Sequence, residues 1–301
     1  MPAVRAVRRG VLGPFLASCG WPARRVTLCG MAQVRVRLSE AQETLLVTLY
    51  GRAWDARARQ PILGDTMAAA AVEQMDYDFR RAKLNPRVAA SVAVRAKQFD
   101  DWTTEFLAEH DRAIVVHLAA GLDTRVWRVN PEPGVTWYDV DYPEVIALRS
   151  RLYPERGHYH MIGSSVTAPS WLAQVPADRP TLIVAEGLTM YLKPEEGHEL
   201  MRRLTGHFVH GIIVFDAFNR LTIRVQHLNP AVRGCGARMY WGIDDPAELE
   251  RASPRLHCLE AAKALYTPGA AALPLSTRIT AKLFRPFPPL RDMCLYLRYE
   301  F

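Results

Sequence analysis

Apolar residues follow two rhythms along the chain. From residue 39 to about 110 they recur at helical spacing. Ser39 and Gln42 form a capping-box pair, and Leu45, Leu46, Leu49 and Ala53 fall on one face, which predicts a first helix. A second helix is expected from Asp65 through the alanines to Met75. A third opens at Pro86, where Val88, Val92, Phe99, Trp102 and Phe106 keep the spacing. From Ala113 the rhythm changes to short apolar runs, as in strands buried on both faces of a parallel sheet. Strands are predicted at Ala113–Leu118, Val135–Val140, His158–Ile162, Thr181–Ala185 and Gly211–Phe215, with helices opening at Pro143 and Pro194 between them. After an irregular stretch from Phe218 to Pro246, two more are expected at Leu256–Leu259 and Met293–Tyr299. Alternation of this kind implies an α/β fold with a doubly wound, mostly parallel sheet, whose ligand sits beyond the carboxyl ends of the strands.

This pattern organises residues 31–301 as one domain, with a helical layer over 31–110 and a core over 111–301 carrying an insertion near 218–250. Residues 1–30 contain no acidic side chain and run from a basic start into a short apolar patch broken by Gly13 and Pro14. They superficially resemble a targeting segment, but are expected to be a disordered extension or the product of a start codon assigned too early, with Met31 the natural beginning.

Composition changes this picture little. The 301 residues are 49% hydrophobic and 23% charged, ordinary for a globular protein. A net charge of +7 is spread over scattered arginines and argues weakly for a nucleic-acid partner; none is expected. The five cysteines form no CxxC pair, so neither a disulfide framework nor a metal site is indicated. With no apolar run of transmembrane length, the expectation is a cytoplasmic protein without a membrane partner.

Candidate chemistry sits at three strand ends. Gly121 lets the backbone turn tightly after the first strand and leaves room for a ligand, although many such turns use glycine only for positive φ. Asp141, twenty residues on, is placed to accept from two ribose hydroxyls or to cap the helix opening at Pro143. Glu186 directly follows a buried strand, where a carboxylate needs a partner or a shifted pKa. Together the three would span a nucleoside joined to an amino acid.

The segments VVHLAAGLDTRVWRV, WYDVDYPEVIALRSRL and TLIVAEGLTMYLKPEE, with QETLLVTLYGRAWDARARQPILGD upstream, resemble in order and spacing the signature blocks of the leucine carboxyl methyltransferase-like family. That family includes bacterial O-methyltransferases of polyketide biosynthesis. The resemblance implies a Rossmann-like seven-stranded sheet with a lid insertion and an S-adenosyl-L-methionine-dependent O-methyltransferase. The acceptor would be a carboxylate or hydroxyl of a small molecule, with protein carboxyl termini the second choice. Carried over by position, Asp141 would bind the ribose, Gly121 would line the methionine part, and Glu186 would sit beside the amino-acid portion. Arg95 would clamp the cofactor carboxylate. Two positions depart from the family: Ala119 stands where the first glycine of the turn is common, and Ser165, followed by apolar Val166, stands where an aspartate contacts adenine. Methyl transfer by in-line displacement needs no covalent catalyst, and no general base is assigned among the histidines. Met239, Tyr240 and Trp241 are candidates for the acceptor pocket, with lid packing as the equal alternative. Two other readings remain: an NAD-dependent oxidoreductase, disfavoured because AAGLD lacks the full GxGxxG pattern, and a catalytically inactive binding protein.

Overall fold

The computed structural model of the protein describes residues 34–36, 43–82, 84–228 and 237–301. The Ser39–Gln42 capping box and residues 1–30 lie outside them. Helices α1 (Glu43–Ala56), α2 (Thr66–Gln74) and α3 (Pro86–Glu109) build the expected layer before the sheet. The side chain of Asp65 caps α2 by accepting from the Ala68 N–H, and Asn85 caps α3 through the Arg87 and Val88 N–H groups. Leu46, Leu49 and Ala53 are buried on the predicted face of α1.

The seven-stranded sheet comprises β1 (Ile114–Leu118), β2 (Thr136–Asp141), β3 (Tyr159–Gly163), β4 (Thr181–Ala185), β5 (Gly211–Phe218), β6 (His257–Lys263) and β7 (Cys294–Glu300). Its order is β3-β2-β1-β4-β5-β7-β6. All neighbouring pairs are parallel except those of β7, which runs antiparallel to β5 and β6. The order reverses between β1 and β4, so a crevice for ligand opens at their carboxyl ends.

Every residue of β1 is buried, because both faces of the sheet are covered. Val115 packs with Phe99, Trp102 and Phe106 of α3 on one face. Ile114, Val116 and Leu118 pack with Leu200, Met201 and Leu204 of helix α6 (Pro194–His207) on the other. Helices α4 (Arg125–Val129) and α5 (Pro143–Leu152) follow β1 and β2. The short helices α7 (Arg220–Arg224) and α8 (Ala247–Ala252) lie between β5 and β6, where the insertion was expected.

Two features differ from the sequence expectation. Strand β5 continues past Phe215, and pairing with β7 carries Asp216 inside the ladder. The β6–β7 connection holds helices α9 (Leu275–Phe284) and α10 (Pro288–Arg291), which the pattern did not predict. Leu275, Ile279 and Leu283 of α9 point outward, so inward periodicity gives little signal there.

Candidate active site at the carboxyl ends of the strands

The turn after β1 is held by backbone strain and by charge. Ala119 has φ +50° and Gly121 has φ +52°, so both lie in the left-handed region. Alanine at position 119 costs about 1–2 kcal/mol that glycine would avoid. A Cβ on Gly121 would stand 3.4 Å from Leu45 Cβ of α1. The buried Arg149 donates from Nη1 to the Gly121 and Asp123 carbonyls, both at 2.8 Å, and pairs through Nη2 with Asp139. Tyr153 Oη and Arg52 Nη2 donate to the Leu122 carbonyl.

Asp141 completes this half of the site. Its Oδ2 accepts from the Gly121 N–H and its Oδ1 from the Tyr142 N–H, each at 2.7 Å. No side chain caps α5. The capping alternative for Asp141 is therefore absent, and its carboxylate keeps two of its roughly four lone-pair positions for further donors. Burial pushes this carboxyl above its usual range, against the pull of the two backbone N–H groups. Hydroxyl donors would lower it again.

The other half centres on Glu186. Its Oε1 accepts from Arg95 Nε at 2.9 Å and its Oε2 from Arg125 Nη2 at 2.5 Å. Arg95 Nη1 also donates to Asp216 Oδ2 at 2.9 Å. Burial would raise the Glu186 carboxyl, but the two guanidiniums overcome it and hold it below the usual range. For Asp216 burial prevails over Arg95, and the nearby Glu186 adds to the rise.

These pairs belong to a larger seam between helical layer and sheet. Arg125 also pairs with Asp100 and Asp123, Arg128 with Asp65, Asp100 and Asp123, and Arg52 with Asp65. Four guanidiniums (Arg52, Arg95, Arg125, Arg128) thus face five carboxylates (Asp65, Asp100, Asp123, Glu186, Asp216). By formal charge the carboxylates outnumber the guanidiniums by one.

The structure thus links Gly121 with Asp141, and Arg95 with Glu186. Ser165 lies in the turn after β3: its Oγ is 2.8 Å from Thr167 Oγ1, while the neighbouring Ser164 N–H donates to the Asp141 carbonyl. The Val166 side chain is buried in the core beside Trp171. Of the acceptor candidates, Met239 and Trp241 are buried and Tyr240 is exposed. Trp241 fills the space over α6 where a Cβ on Gly197 would lie only 1.9 Å away. His117 is buried as expected, between Arg125 and Asp139. Sequence reasoning missed Asp100, Asp123, Arg125, Arg149 and Asp216. The available signal was LDTRVWR, where charged residues follow a buried strand too closely to reach solvent.

A groove of about 590 Å³ lies at the opposite edge of the sheet, lined by Phe106, His110, His210, Arg255 and Arg298 among others. It includes none of the candidate residues. We place the site by its chemistry, because this groove lacks convergent buried polar groups.

Comparison with known proteins identifies the family. Residues 45–205 match the leucine carboxyl methyltransferase family. The chain is 44% identical over 267 residues to the tetracenomycin polyketide synthesis O-methyltransferase TcmP of Streptomyces glaucescens, covering 88% of this chain and 98% of that protein. The chain belongs to the leucine carboxyl methyltransferase family. It is 37% identical to the S-adenosyl-L-methionine-dependent methyltransferase dpfgK of Gibberella zeae, over 74% of this chain and 82% of the relative. The fold recurs in a solved structure from Streptomyces avermitilis, a duf574 family protein, with a TM-score of 0.54 at 11% identity over 83% of this chain and 96% of that one. This family member is a methyltransferase that uses S-adenosyl-L-methionine, and the oxidoreductase reading finds no support.

Proposed function

We propose that the enzyme methylates an oxygen of a small organic acceptor, and that the carboxyl-end crevice holds the cofactor. The observation that carries the acceptor class is the 44% identity to an O-methyltransferase of polyketide synthesis over nearly its whole length. When bound, S-adenosyl-L-methionine supplies a methyl group on a positively charged sulfur, open to attack from the opposite side.

The residues present fit that group. Asp141 has lone pairs free for the ribose hydroxyls, held in place by two backbone donors. Glu186 accepts from the ammonium group, and Arg95, with three N–H donors beyond its two ion pairs, takes the carboxylate. Ala119 and Gly121 keep the turn low beside the methionine part, and Ser165, next to the Ser164 N–H that meets the Asp141 carbonyl, borders the adenine, while the Val166 side chain packs into the core.

Acid–base help is scarce at this end. Glu186 and Asp216 hold Arg95, and the His117 ring is enclosed between Arg125 and Asp139. This favours an acceptor that arrives ionised, as a carboxylate or phenolate, so that the protein acts mainly by positioning. The test is turnover with isotope-labelled methyl donor against aryl carboxylic acids, phenols, amines and peptide carboxyl termini, with products identified by mass spectrometry. Labelled methyl esters or ethers are expected. Labelled amines alone would overturn the reading.

A further inference from the structure

Helix α9 is built inside out. Ala281 is its one buried residue, whereas Leu275, Ile279 and Leu283, spaced four apart on one stripe, are 68%, 49% and 66% exposed. Phe287, just beyond the helix, is 58% exposed. Four of the nine exposed large apolar side chains among the described residues therefore fall within 13 consecutive positions. Such clustering marks an interaction surface.

Charge identifies what covers it. Residues 264–291 contain no acidic side chain, and Arg278, Lys282 and Arg285 flank the stripe, exposed and without an ion pair among the described residues. A second copy packed across a two-fold axis would bring these cations against their own images. The acid-free residues 1–30 carry the same sign.

We propose that α9 docks the enzyme peripherally on an anionic lipid surface, with Leu275, Ile279, Leu283 and Phe287 entering the interface and Arg278, Lys282 and Arg285 meeting the headgroups. Placement gives docking a purpose. The connection leaves the carboxyl end of β6, and its Gly269–Ala270 turn packs on Val94 of α3, beside Arg95. Docking thus brings the crevice to a phase where apolar acceptors concentrate, and this last step rests on the proposed O-methylation.

The experiment is flotation of the full chain with vesicles of phosphatidylcholine containing phosphatidylglycerol, beside vesicles of phosphatidylcholine alone. Wild type is expected to float with the anionic vesicles. The double variant Ile279→Ser/Leu283→Ser should bind at least about tenfold more weakly, with unchanged melting temperature and unchanged turnover of a water-soluble acceptor without vesicles. Unchanged binding of the double variant would overturn the inference, because attraction through the basic residues 1–30 would then suffice. Absence of flotation, with sedimentation showing a dimer that the double variant abolishes, would assign the stripe to a second copy instead. Flotation without any methyl transfer would leave docking standing and fail the acceptor reading.

Discussion

The two ends of the sheet differ in kind. At the amino end an open groove is lined, apart from the buried Phe106, by exposed or half-buried residues, with one ion pair near its rim, between Arg298 and the exposed Glu105. At the carboxyl end there is less open space, but Ala119, Gly121 and Gly187 sit in left-handed conformations and a seam of buried guanidiniums and carboxylates joins three helices to three strand ends. Volume points to one end and stored electrostatic cost to the other. Buried charge is expensive unless a function or a ligand requires it, so cost is the better guide here.

The sharpest way to break this contrast is to unbalance the seam. Arg125→Met removes a fully buried guanidinium from Asp100 and Glu186. It is expected to destabilise the fold by about 3–5 kcal/mol in urea unfolding. Glu186→Gln keeps the shape and removes one charge. Cofactor affinity should fall by about 1.5–3 kcal/mol in calorimetry, with a smaller change in melting temperature.

Acid should separate binding from folding. Carboxyls held low, as Asp123 and Glu186 are by their guanidiniums, stabilise the fold above the unfolded value of about 4 and lose that contribution only as pH falls through their depressed folded values. Burial raises Asp141, so it protonates at a higher pH than an ordinary aspartate. Titration toward acid should therefore weaken cofactor binding before circular dichroism reports unfolding; simultaneous loss would contradict the assignment. At the amino end, Glu109→Ala removes an exposed groove residue. It should change stability by less than about 0.5 kcal/mol and leave cofactor affinity unaltered.

Much of this was legible in the residues, for definite physical reasons. Strands such as Thr181–Ala185 are short apolar runs bounded by polar residues, and burial on both faces leaves that signature. Asp141 and Glu186 stood out because carboxylates ending buried strands need partners. Those partners were harder to read: Arg95 and Asp100 reach Glu186 and Arg125 from α3, Asp216 reaches Arg95 from β5, and no spacing along the chain reports such pairings. Arg149 is hidden for the same reason, since a basic residue on an amphipathic helix reads as solvated, whereas here it anchors the Gly121 turn. Helix α9 went unpredicted because its stripe faces outward between prolines.

One measurement tests the central claim most directly. S-adenosyl-L-methionine is titrated into the wild type, Asp141→Asn and Glu109→Ala, all verified as folded. Placement of the cofactor at the carboxyl end requires Asp141→Asn to bind about 1–2 kcal/mol more weakly while Glu109→Ala matches wild type. Equal binding by Asp141→Asn, or a loss confined to Glu109→Ala, would contradict it.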